Sequence, residues 1–339
     1  MKKKIFKILQ YVIFLFLGVF IFYWIYKDME LEDLKEQISE INYFWIAVSF
    51  IFGIMSMVFR ALRWNLLLKP LGYNARFNNL FISVLVLYLT NMIIPRAGEI
   101  TRCTVLTRYE KVPFSKGVGT VVVERMADFI MLMLLAVIII SSQISRVSLF
   151  FEKNPEVKQN LDNLLTFKNL LIVVLIISAL IILSWILLKF VIRSSVIKEK
   201  LRKIKIDFID GIKSIAKLKA RWLFITYTLS IFLMWLLMLY VVFLAYEPTS
   251  DLSIFTGAVV FLMGGLGMLA PVQAGIGPWH FMVYQTLFVY GISLEQGKMF
   301  ALISHTSMTG MYVIIGVVGL ILLPFINRRK FLHKNNSVK

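Results

Sequence analysis

Long apolar blocks alternate with short polar connectors along this chain. Apolar runs cover Ile5–Tyr26, Tyr43–Arg60, Val118–Ser142, Asn169–Lys189, Trp222–Tyr246 and Met299–Pro324. Each is close to the roughly 20 residues that an α-helix needs to cross a bilayer core, so the pattern predicts six membrane spans. Two further apolar stretches, Phe81–Ile94 and Ile254–Ala270, are shorter, and each ends at a proline–glycine break.

Composition agrees with that reading. The chain has 339 residues, 59% of them hydrophobic, and a mean hydropathy of +0.80. An ordinary soluble protein, about half apolar, is excluded. The expected fold class is an all-α integral membrane protein forming a single polytopic domain over 1–339. The net charge of +18 does not point to nucleic acid, because in a membrane protein Lys and Arg report orientation and contact with anionic lipid. Cys103 is the only cysteine, so no intrachain disulfide and no paired-cysteine metal or redox motif can form. Lys2, Lys3 and Lys4 precede a run too long for a signal peptide and without a small-residue cleavage site, so a retained first span is expected.

The connectors carry the orientation. Lys2–Lys7, Arg60–Arg76, Arg102–Lys116, 193–221 and 328–339 are basic, and the loop 193–221 holds ten Lys and Arg against three acids. Segment Lys27–Asn42 is the reverse, with six acids against Lys27 and Lys35, and Glu247–Asp251 has two acids and no base. The positive-inside rule then places both termini in the cytoplasm, with 193–221 a basic cytoplasmic loop, 327–339 a cytoplasmic tail, and the cell (inner) membrane as the location. Segment Lys198–Lys219 is amphipathic, with Leu201, Ile204, Phe208, Ile212 and Ile215 at helical spacing, and is expected to lie on the inner leaflet; a solvated loop helix is the alternative.

That orientation constrains the two short stretches. Phe81–Ile94 has basic flanks on both sides, so it should enter from the cytoplasm and return. Ile254–Ala270 has acidic or weakly charged flanks, so it should enter from outside and return. Each becomes a re-entrant helical hairpin, whose irregular tip is tolerated only inside protein or beside water. The order span, span, hairpin, span then occurs twice, in about 1–142 and about 169–326, with opposite starting sides. Such an inverted-topology repeat is expected of transporters with a midplane site at broken helices.

The candidate chemistry sits at the first break. Pro95 ends the entering helix and Gly98 permits a tight turn. A returning helix from Gly98–Glu99 presents free N–H groups to an anion, and Arg96 and Arg102 add forked donors suited to phosphate. Asn91 can contribute an amide. On the next span, Glu124, Arg125 and Asp128 share a helical face, although a charge at membrane depth costs roughly 2.5–3.5 kcal/mol on insertion scales. The expected network joins Arg96, Arg102 and Arg125 as head-group ligands with Glu99, Glu124 and Asp128 as counter-charges or proton relay; a structural clamp pinning the hairpin is the alternative. The second break offers Gln273, Gly275, Gly277 and His280, with the returning helix starting near Pro278. His280 and His305 read either as proton-linked groups or as plain hydrogen-bonding histidines. No GxxxxGK[ST] loop, HExxH motif or Ser/His/Asp set is present, so no nucleotide-driven pump is encoded, and no cofactor or metal is expected.

In Asn91…Pro95-Arg96-Ala97-Gly98-Glu99…Arg102, in Val122-Val123-Glu124-Arg125…Asp128 and in Pro271…Gly275-Ile276-Gly277, the chain resembles the flippase-like transmembrane family that forms the membrane half of lysylphosphatidylglycerol synthases. The resemblance runs from the first span to the sixth, in a family that includes stand-alone members and fusions to a lysyl-transferring domain. It implies translocation of lipids or lipid-linked head groups between leaflets. Only the short tail 327–339 follows the last span, so the lysyl-transferring domain is expected to be absent and the chain is not expected to be an enzyme. The acidic residue often found after the second tip of the family is replaced around His280. The preferred expectation is a lipid translocase without its own ATPase, acting on an anionic phospholipid, aminolipid or polyprenyl-phosphate lipid. The alternatives are a membrane-embedded lipid-modifying enzyme, with Glu99 or Asp128 as base, and an accessory subunit of a separate lipid-synthesising enzyme.

Overall fold

The computed structural model describes residues 19–27, 37–142, 144–153, 155–166, 195–270 and 272–336, with positions 32, 171, 175 and 178. All regular structure among them is helical. Most of the expected spans Ile5–Tyr26 and Asn169–Lys189, and Pro271 of the second tip, lie outside the described residues.

Helix α1, Tyr43–Leu68, is capped by Asn42, whose side chain accepts the Phe44 N–H at 3.1 Å. It continues past the expected end at Arg60 into a 3₁₀ turn, Lys69–Leu71, closed by Gly72 at φ 84°. Its inward stripe is Gly53, Ser56, Met57, Arg60, Ala61, Trp64, Leu67 and Leu68, all buried, at the three- and four-residue spacing of one helical face. Arg60 and Arg63 therefore lie buried within the helix rather than in a connector beyond its end. They are tolerated there because acids from a distant segment meet them, which no local pattern announces.

Helix α2, Phe77–Ile93, and helix α3, Gly98–Glu110, form the first broken pair. Ile94 is extended and Arg96 is left-handed at φ 62°. Gly98 N–H donates to Asn91 Oδ1 at 2.8 Å, so Asn91 fastens the returning helix to the entering one. A Cβ on Gly98 would run into the Leu87 carbonyl and Asn91, which accounts for glycine there. The pair returns to the end it left, since Arg76, just before α2, lies 3.0 Å from Glu110 at the end of α3.

Helix α4, Phe114–Ser142, follows, then the short α5, Ile144–Lys153, and α6, Pro155–Leu165. Helix α7, Ser195–Lys213, crosses the start of α4 backbone to backbone, and a Cβ on Gly211 would lie 2.8 Å from the Gly119 Cα.

Helix α8, Arg221–Phe243, lies antiparallel along α1. Asn42 N–H donates to the Ala245 carbonyl at 2.9 Å at one end, and Arg63 Nη1 donates to Thr228 Oγ1 at 3.1 Å near the other. Helix α9, Ile254–Gly267, and helix α10, Pro278–Val289, form the second broken pair. They pack so closely that a Cβ on Gly267 would sit 2.8 Å from the Trp279 Cα. The returning helix starts with Pro278 in its first turn, where a missing N–H costs nothing. Helix α11, Leu294–Asn336, runs through Pro324 beyond the expected last span.

The two broken pairs meet at their tips, where Gln273 Nε2 donates to the Ile93 carbonyl at 3.4 Å. One core gathers Met57, Ala61, Trp64, Leu80, Val84, Cys103 and Leu106 around the first pair. Another gathers Phe243, Val260, Trp279, Val283 and Phe300 around the second, with Phe243 and Phe300 stacked at 4.4 Å.

The exterior is apolar. Phe129, Ile130, Leu134, Val137 and Ile138 of α4 and Ile314, Val318, Ile321 and Phe325 of α11 are exposed. So many outward aliphatic and aromatic residues suit lipid rather than water. Among the described residues three helices are long and apolar enough to cross a membrane, Tyr43–Leu71, Arg221–Phe243 and Leu294–Asn327, and Phe77–Ile93 and Ile254–Gly267 are shorter apolar helices.

Candidate functional site

Three helices bring charge into the interior beside the first broken pair. Helix α4 carries Glu124, Arg125 and Asp128, α3 carries Glu99 and Arg102, and α1 carries Arg60 and Arg63. Glu124 is the hub. Its Oε1 lies 3.3 Å from Arg63 Nε and its Oε2 lies 2.6 Å from Arg102 Nη2, with all three side chains fully buried. Asp128 receives Arg63 Nη1 at 2.7 Å, Arg125 Nη2 at 2.9 Å and Arg60 Nη2 at 3.5 Å. Arg125 Nη1 reaches Glu99 Oε1 at 3.4 Å, on the more open side of the cluster.

Aromatic faces complete the setting. The Arg102 guanidinium sits 4.4 Å from the Trp64 ring centroid, and Trp64 is held in turn by donating its Nε1–H to Thr120 Oγ1 of α4 at 2.8 Å. Arg60 lies between Trp235 of α8, at 5.0 Å, and Tyr88 of α2, at 5.7 Å. Such cation–π contacts favour a desolvated guanidinium.

The balance of this cluster is uneven. Four arginines face three carboxylates, which leaves one net positive charge. Arg60 Nε, Arg63 Nη2 and both Nε and Nη1 of Arg102 are buried without a hydrogen-bond acceptor among the described residues. A buried donor left unmet costs about 1–3 kcal/mol, and more when charged. Glu99 Oε2 is likewise buried without a donor among the described residues, so the cluster holds its arginines in place and leaves unmet hydrogen-bonding groups, most of them guanidinium N–H.

The sequence-derived candidates divide. Arg102, Arg125, Glu99, Glu124 and Asp128 come together as expected. Arg96 does not join them; it is exposed at the turn and forms no ion pair among the described residues. Asn91 and Gly98 serve the turn itself. At the second tip, Gln273 contacts the first tip, while Gly275 and Gly277 have φ of 73° and 92°. His280 is buried, and its Nδ1 accepts the Gly277 N–H at 3.3 Å as part of the α10 cap. His305 bonds the Ala274 carbonyl through Nε2 at 2.9 Å, and the two imidazoles lie 4.5 Å apart. These histidines hold the second tip in shape and are absent from the arginine cluster. Among the described residues no group of three or more His, Cys, Asp or Glu is placed to hold a metal.

Arg60, Arg63, Trp64, Tyr88, Thr228 and Trp235 enter the site only through the tertiary structure. The available signal was the stripe Gly53, Ser56, Met57, Arg60, Ala61 and Trp64, which continues the helical phase through both small and charged residues.

An all-helical chain with an apolar exterior and an interior arginine–carboxylate cluster is a multi-pass membrane protein with a polar site. Residues 8–316 match the lysylphosphatidylglycerol synthase TM region family, and the chain belongs to that family. A UPF0104 membrane protein of Methanocaldococcus jannaschii is 34% identical over 133 residues, a stretch that covers 38% of this chain and 38% of that protein's length. No solved structure matches.

Proposed function

We propose that the protein is a lipid translocase that grips an anionic head group at the arginine cluster while the acyl chains stay in the bilayer. The observation that carries this reading is the buried cluster of four arginines and three carboxylates beside a broken helix pair, with one net positive charge and several guanidinium N–H groups unmet. A phosphate-bearing head group supplies the acceptor oxygens that this arrangement lacks. The carboxylates hold the arginines when the site is empty.

The proposed topology has six spans, two re-entrant hairpins and both termini in the cytoplasm of a cell-membrane protein. The repeats are α1 to α4 and α8 to α11, each preceded by a further proposed span, Ile5–Tyr26 or Asn169–Lys189. Three geometric relationships support it. The leading helices α1 and α8 are antiparallel, as an inverted repeat requires. The first pair opens at the end where Arg76, Glu110 and Asn327 gather. The second opens at the other end, with the tips in contact between them. Opposed hairpins meeting at the centre suit alternating access to a midplane site.

The test is a leaflet-exposure assay on the full chain in vesicles loaded in turn with anionic phospholipid, aminolipid and polyprenyl-phosphate lipid. Arg102→Lys and Asp128→Asn should each lower the rate for the transported class at least tenfold in folded protein. Wild-type rates for every lipid class in both variants would overturn the site assignment.

A further inference from the structure

The basic helix α7 divides its side chains in a way that local periodicity does not show. The expected apolar stripe was to face the leaflet, yet Ile212 packs into the cluster with Leu66, Leu67, Val123 and Phe224, and Gly211 is pressed on Gly119. The acid Asp207 is also turned inward, 3.8 Å from Lys116 Nζ and accepting from Ser115 Oγ at 3.2 Å.

Exposed on the outside are Arg202, Lys203, Lys205 and Lys213, interleaved with Ile204 and Ile206, against one exposed acid, Glu199, near the start of the helix. Exposed isoleucines among cations are unfavourable in bulk water but suit the boundary between head groups and acyl chains. The height of the helix agrees. It crosses the first turns of α4 and leads, through 214–220, into α8, whose Trp222 is 76% exposed. An outward tryptophan at a helix start marks a membrane interface.

We propose that the outer face of α7 is a docking surface for the anionic lipid head groups of the leaflet it rests on, separate from the arginine cluster. Each basic residue near an anionic surface adds to attraction that falls off within a Debye length, while Ile204 and Ile206 enter the head-group boundary. Because α7 meets α4 glycine to glycine at Gly211 and Gly119, and through Asp207 with Ser115 and Lys116, docking also sets the position of the helix that carries Glu124 and Asp128.

The experiment reads docking directly and is independent of lipid transport. Cys103 is buried, so Ile206→Cys provides one reactive thiol for an environment-sensitive fluorophore. The labelled full chain is placed in nanodiscs of phosphatidylcholine alone or of phosphatidylcholine with phosphatidylglycerol. A blue shift confined to the discs containing phosphatidylglycerol, reversed by high salt and abolished in R202Q/K203Q/K205Q, is expected. Equal emission in the two lipids, or a shift that survives salt or the triple substitution, would overturn the proposal.

Discussion

Arg102 Nη2 lies 2.6 Å from Glu124 Oε2, and neither side chain reaches solvent. Glu124 also holds Arg63, so one carboxylate pairs with two buried guanidinium groups from different helices. Removing one partner of a buried pair leaves an uncompensated charge and costs about 3–5 kcal/mol. Glu124→Gln should therefore lower the melting temperature of the detergent-solubilised protein severely. Glu99→Gln should cost less than about 1 kcal/mol, because its partner Arg125 is 41% exposed. Equal thermal shifts in the two variants would show that Glu124 is not the hub.

The glycines separate by what surrounds them. An alanine at Gly211 would press its Cβ into Gly119 and the Lys116 carbonyl. Overpacking of that kind costs typically 1–3 kcal/mol, so Gly211→Ala should destabilise. Gly265, within α9, has nothing near its absent Cβ, and Gly265→Ala should gain up to about 1 kcal/mol in helix propensity. Thermal unfolding of the two variants should move in opposite directions.

Arg96 sits at φ 62°, where a side chain is strained by roughly 1–2 kcal/mol. Arg96→Gly should leave stability unchanged or raise it by up to that amount, since no ion pair is lost. If Arg96 reaches an arriving head group, the same variant slows leaflet exchange; thermal and transport measurements on one sample separate the two effects.

At the mouth of the first broken pair, buried Asn79 and Asn327 exchange amide hydrogen bonds, with Asn327 Nδ2 donating to Asn79 Oδ1 at 2.8 Å, and both are tied to the Arg76–Glu110 pair. Asn79→Ala and Asn327→Ala should each cost about 1–3 kcal/mol. The double variant should cost clearly less than the two together, because they break one network. Additive losses in a double-mutant cycle would contradict the shared network.

The apolar pattern by itself determined a helical membrane protein, because the period and length of apolar runs follow from the geometry of one helix in lipid. It also placed both breaks and the start of the returning helices at Gly98 and Pro278, since proline and glycine act on the backbone locally. Loop charge and break position led to the clustering of Glu99, Arg102, Glu124, Arg125 and Asp128. Only the tertiary structure decided that Arg60 and Arg63 belong with them. A buried arginine and a flank arginine look alike along the chain, and the difference lies in acids 61 to 68 residues away that become neighbours when α1 packs on α4. For the same reason it decided that Arg96 stays outside the cluster and that His280 caps a helix, since the direction a side chain takes at an irregular turn depends on the packing around it.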